Sequence, residues 1–175
     1  GATEPMAVAA GTARALAVLV GGNRIDEAFS LAERWRAREL MDRLTRIAAL
    51  RTVEPAQSVP SPPAAAPRTA ADVVAAIPDD RTALVEYVVA DGAPITVFVV
   101  QRSGIAARVL PPFDSLGAAV RRFTALVEGG VDAAPFGRRL GAALVDPALA
   151  LLRPGVSRLI VVPDGPLHRL LPCEV

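Results

Sequence analysis

The sequence predicts an α/β protein with an αα-hairpin in front of the α/β segment. Three observations predict it. Residues 4–50 carry apolar positions at helical spacing. Residues 82–110 carry three short β-branched runs separated by turn residues. Residues 116–163 return to helical spacing and then reach the apolar run Leu159-Ile160-Val161-Val162. A proline-rich stretch separates the first block from the others. The chain therefore reads as a helical hairpin at 1–51, a linker at 52–68 and an α/β segment at 69–175.

The first helix runs from Glu4 to Val20 and is rich in alanine, with Val8, Leu16, Val18 and Leu19. Gly21-Gly22-Asn23 ends it, because Gly and Asn tolerate the left-handed conformation of a helix C-terminus. The second helix runs from Ile25 to Leu50. Its apolar residues fall at Ile25, Ala28, Phe29 and Ala32, then at Ala37, Leu40, Met41, Leu44, Ile47 and Ala48, a three-and-four spacing that makes a stripe facing a partner. Arg34, Arg36 and Arg38 are offset by Glu33, Glu39 and Asp42, which predicts a solvated, salt-bridged face rather than a site for an acidic partner or RNA. Trp35 is expected to pack against the first helix rather than to anchor a partner. The linker, Thr52 to Arg68, holds five prolines and almost no large apolar residue, so extended, solvated chain is expected.

In the α/β segment, Thr69 caps a short helix, Ala70 to Ala76, that Pro78 stops. Thr82 to Ala90 is a strand, Asp91-Gly92 a hairpin turn, and Ile95 to Gln101 and Ile105 to Leu110 complete a meander that Pro111-Pro112 closes. Asp114 or Ser115 is expected to cap a helix through Glu128, which Gly129-Gly130 ends. Another helix is expected from Pro135 to about Leu152, kinked at Pro147. Ser157 to Pro163 is nearly all apolar, which predicts a strand buried on both faces.

Composition narrows the function classes. The 175 residues suit one domain, or one domain with a helical appendage. The apolar fraction of 52% is ample for a core, aromatics are only 4%, and every basic residue is arginine. A net charge of +1 provides no general field for nucleic acid. No run approaches the ~18 apolar residues of a membrane span, and the N-terminus lacks the basic start and apolar core of a signal peptide. The single cysteine excludes an internal disulfide and fits a reducing compartment. A soluble, cytoplasmic protein without membrane or nucleic-acid partners is expected.

His168 and Cys173, five positions apart, are the only residues of their types. A thiolate nucleophile needs an accessible, electropositive setting and a base within hydrogen-bond reach, and the two partners normally come from separate elements. Cys173 therefore reads as a small buried hydrophobe and His168 as a turn residue. Pro163-Asp164-Gly165 and Asp79-Asp80 read as turns rather than ligand sets or acid–base pairs. Glu86 and Tyr87 lie within a strand, one of them able to face the interior, with no role assigned. Gly129-Gly130 and Gly137 to Gly141 lack the preceding strand and the lysine of a phosphate loop. No catalytic, cofactor-binding or metal-binding residue is assigned, and no cofactor is expected.

Three stretches together resemble the CHAT family, caspase-like proteins often associated with TPR repeats. AFSLAERWRARELMDRL, Ala28 to Leu44, is similar to the long helix that joins TPR repeats to a CHAT domain. AAIPDDRTALVEYVVADGAPITVFVV, Ala75 to Val100, is similar to the opening helix, "D-x-x-L-x-E-Y" strand and hairpin, with one more residue between Asp80 and Leu84. LIVVPDGPLHRLLPCEV, Leu159 to Val175, is similar to the central strand and its "P-D-G-x-L-x-x-L-P-F-E" turn, with one more residue between Leu167 and Leu171 and with Cys173 at the position of the Phe. The resemblance implies a TPR-like hairpin followed by the first half of a caspase-like sandwich: a β-meander, two helices and a buried strand. The family's catalytic His and Cys belong to later strands, whose motifs do not occur here. The expectation is thus a non-catalytic portion of a cysteine peptidase, active in peptide-bond hydrolysis only with a second half. The alternative is a protein–protein interaction module that binds a protein or peptide. A half-domain of this kind is also expected to self-associate through an unpaired sheet edge.

Overall fold

The structure, a computed structural model, describes residues 3–50, 69–110 and 116–170, without the side chains of 3–7, 39 and 41–50. It is a mixed α/β fold. Helices α1 (Thr3–Gly21) and α2 (Ile25–Leu50) form the hairpin. Helix α3 (Ala70–Ala76) and strands β1 (Thr82–Val88), β2 (Ile95–Gln101) and β3 (Gly104–Leu110) follow. Helices α4 (Leu116–Glu128), α5 (Ala134–Leu144) and α6 (Asp146–Leu149) lead to β4 (Arg158–Val162) and a 3₁₀ turn, Gly165–Arg169. The Pro-rich linker, the Pro111-Pro112 closure and the Asp114 or Ser115 cap lie outside the described residues.

Local chemistry sets the element ends. Asn23 takes φ 58, and Arg24 N–H and Asn23 N–H donate to the carbonyls of Leu19 and Val20 at 2.9 and 3.0 Å. These bonds satisfy the last carbonyls of α1 and turn the chain into α2. Thr69 and Asp72 form a reciprocal capping box at α3. Ile77, ahead of Pro78, is extended and ends that helix. The helix expected from Pro135 to Leu152 is instead two helices that break at Val145. Pro147 lacks the N–H that would continue the α5 ladder and sits in the first turn of α6 instead.

The sheet order is β3-β2-β1-β4. The first three strands form the antiparallel meander, and β4 returns parallel to β1, with Leu84 opposite Ile160 and Val85 opposite Val161. Alternation sends Val85, Tyr87, Val97 and Val99 to one face, against Leu116 and Val120 of α4, Leu140 and Leu144 of α5 and Ala148 of α6. Val88, Phe98 and Val100 point to the other face, against Leu16 of α1, Ala28, Phe29 and Ala32 of α2, and Ile77. The hairpin, set apart by the linker in sequence, thus shares a core with the sheet. Trp35 packs against this second cluster.

The strand buried on both faces is β2, not β4. Every residue of β2 is buried. In β4, Leu159, Ile160 and Val161 are 41%, 44% and 37% exposed. The reason is position. Helical layers cover β1 and β2 from both sides, whereas β4 lies at an edge of the sheet that the described residues form.

Candidate functional site

The residues with the strongest chemical character lie on β1 and β4. Glu86 is 2% exposed and points to the hairpin face. There its Oε1 lies 2.9 Å from Nη1 of Arg36, delivered by α2. The contact is a close ion pair rather than a well-aligned hydrogen bond. Arg36 Nη1 is also 3.4 Å from Glu33 Oε1, and its Nη2 donates to the carbonyl of Tyr87 at 3.4 Å. Burial pushes the Glu86 carboxyl up to about 7; Arg36 opposes the shift, while the charges of Glu33 and Asp164 add to it. Arg36 is therefore not part of a solvated arginine face. Arg34 and Arg38 are exposed, as expected.

Tyr87, next in the strand, points to the opposite face. Its hydroxyl donates to the carbonyl of Leu144 at 2.9 Å, and burial raises its pKa. The two residues that the sequence left without a role thus tie β1 to both helical layers. Gln101 extends the same framework, donating to Leu151 O at 3.2 Å and accepting from Arg153 N–H at 2.9 Å.

Asp164 holds the turn after β4. Its Oδ2 accepts from Val89 N–H and its Oδ1 from Gly165 N–H, both at 2.8 Å. Asp79 accepts from Arg81 N–H and the Thr82 hydroxyl ahead of β1, and these bonds hold its carboxylate below the usual range. Both aspartates act as the turn residues the sequence predicts. His168 is exposed in the 3₁₀ turn, and Cys173 lies outside the described residues. Among the described residues, no group of three or more His, Cys, Asp or Glu side chains converges as a metal site. No described helix is long and apolar enough to cross a membrane.

What remains is an apolar edge with a groove beside it. The groove, about 190 Å³ and partly open to solvent, lies between β1, β4, the α5–α6 junction and the 3₁₀ turn. Leu159 and Val161 form its sheet side, Leu144 and Leu149 its helix side, and Tyr87 and Leu170 complete the wall. Ile160 is exposed on the opposite face. The outer side of β4 has no strand neighbour among the described residues. Backbone groups for pairing and apolar side chains on both faces make this edge a place where a further strand can add. Sequence reading found the strand but not its position in the sheet.

Comparison with known proteins finds no matching family model, no matching curated protein and no matching solved structure.

Proposed function

We propose that this chain is the N-terminal, non-catalytic portion of a CHAT-type, caspase-like cysteine peptidase. On this reading α1 and α2 are a TPR-like unit, and the meander with β4 is the first half of a caspase-like sandwich. The observation that carries the reading is the apolar outer edge of β4, which has no strand neighbour among the described residues and lies next to the PDG turn at Pro163-Asp164-Gly165. Further strands added there would bring the His base and Cys nucleophile for peptide-bond hydrolysis. The chain itself contributes scaffold: Glu86, Tyr87 and Asp164 fix β1 and the end of β4 against which those strands would lie. A cytoplasmic setting suits its lone cysteine.

A second reading is an interaction module without peptidase chemistry. Exposed Val8, Val18 and Leu40 on the hairpin favour it, because stacked helical repeats cover such residues with a neighbouring unit. Intact-mass analysis of the native polypeptide that carries this sequence, followed by a fluorogenic peptide assay, separates the two. The peptidase reading expects a longer or two-piece species with a later His and Cys, with hydrolysis that iodoacetamide abolishes and that residues 1–175 alone lack. A native species without those residues, or without hydrolysis, refutes the peptidase reading and leaves the module.

A further inference from the structure

We propose that the outer face of the α4–α5 pair is a recognition surface for an acidic peptide segment of a partner protein, whose carboxylates are held between Arg122 and Arg139. The surface is separate from the β4 edge and lies on the side of the sheet opposite the helical hairpin.

The two helices meet closely. A Cβ on Gly137 would come within 2.9 Å of the Phe123 ring, so any larger residue there would have to push that ring aside. The close contact brings Arg122 of α4 to Phe136 of α5. The guanidinium carbons of Arg122 and Arg139 lie 5.5 and 5.6 Å from the Phe136 ring centroid, both at cation–π distance. Each long side chain is thereby placed in advance, and less freedom is lost when it takes a ligand.

Charge gives the surface its preference. The two guanidinium groups flank one ring and are at most about 11 Å apart, within reach of neighbouring carboxylates of one short acidic segment. No carboxylate among the described residues forms an ion pair with either. Arg121 and Arg138, exposed on the same two helices, are likewise unpaired among the described residues. The nearest acids in sequence do not neutralise the set: Asp132 caps Ala134 N–H at 3.0 Å, and Glu128 makes no ion pair with any of the four. An added carboxylate receives the planar, two-pronged donors that guanidinium offers. A peptide fits better than a nucleic acid. The patch spans two helices and offers paired guanidinium forks rather than a continuous basic track along a phosphate backbone.

Fluorescence anisotropy of a labelled Glu-rich decapeptide with the full 175-residue chain tests this at low salt. Binding is expected to weaken at least tenfold in Arg122→Gln/Arg139→Gln. It is expected to weaken to a lesser degree in Arg122→Lys/Arg139→Lys, which keeps the charge and loses the fork. Both variants change exposed side chains, and circular dichroism checks that each keeps the fold. Equal binding by wild type and the double Gln variant overturns the proposal. No detectable binding of the decapeptide to wild type also overturns it, as does tighter binding of a single-stranded RNA of equal charge, which would make the surface a phosphate site.

Discussion

Replacing Phe98 with alanine is expected to cost about 3–5 kcal/mol of stability. Phe98 is fully buried in β2 on the hairpin face of the sheet. Its ring meets Phe29 of α2 edge to face, with centroids 5.4 Å apart and planes at 81°. The variant removes the ring from the point where hairpin and sheet share a core, and with it the aromatic contact itself. Trp35, the only tryptophan, packs against the same cluster and reports on it directly. Urea unfolding followed by tryptophan emission and by circular dichroism is expected to give one coincident transition in wild type, moved to lower urea in Phe98→Ala. A separate emission transition, unmoved by the substitution, would mean that the hairpin folds apart from the sheet.

The second large effect is in the pH dependence of stability and belongs to Glu86. Its carboxyl is pushed from 4.5 to about 7, first by burial, with Glu33 and Asp164 adding to the shift and Arg36 opposing it. In the unfolded chain it titrates near its ordinary value. Between the two values the folded state holds a proton that the unfolded state has released. The contribution of Glu86 to stability is therefore complete below about 4.5 and is lost as the pH rises through about 7. The displacement corresponds to a cost on the order of 3 kcal/mol above neutrality. Glu86→Gln keeps the shape and removes the titration. Unfolding free energies measured from acid to alkaline pH are expected to show wild type losing that amount relative to the variant. A difference that stays constant across the range would show that the Glu86 carboxyl ionises normally.

The helices, the meander and their ends were legible because they rest on local chemistry. Asn23 in the left-handed region, the Thr69–Asp72 capping box and the extended Ile77 before Pro78 each involve neighbours in sequence. The break at Val145 was partly legible: Pro147 was visible, and it starts a new helix instead of bending one. The site depends on distant partners. Arg36 and Glu86 come from separate elements, and nothing in the Arg/Glu pattern of α2 marks Arg36 as the residue that turns inward. Tyr87 finds its acceptor 57 residues away, at Leu144. An apolar run such as Leu159 to Val162 reports burial on both faces only if other elements cover it. On an edge strand the same run becomes an exposed surface instead.

That surface is the centre of the functional reading, and the most direct measurement is the mass of the isolated chain in solution across a wide concentration range. An open edge with Leu159, Ile160 and Val161 exposed predicts that the mass by light scattering rises above 18.2 kDa as concentration increases. Ile160→Lys puts a charge on the uncovered face of β4, as native edges do to prevent pairing, and is expected to hold the chain at the monomer mass. A wild-type chain that stays monomeric throughout, with the variant indistinguishable from it, would contradict the account of β4 as a strand-accepting edge.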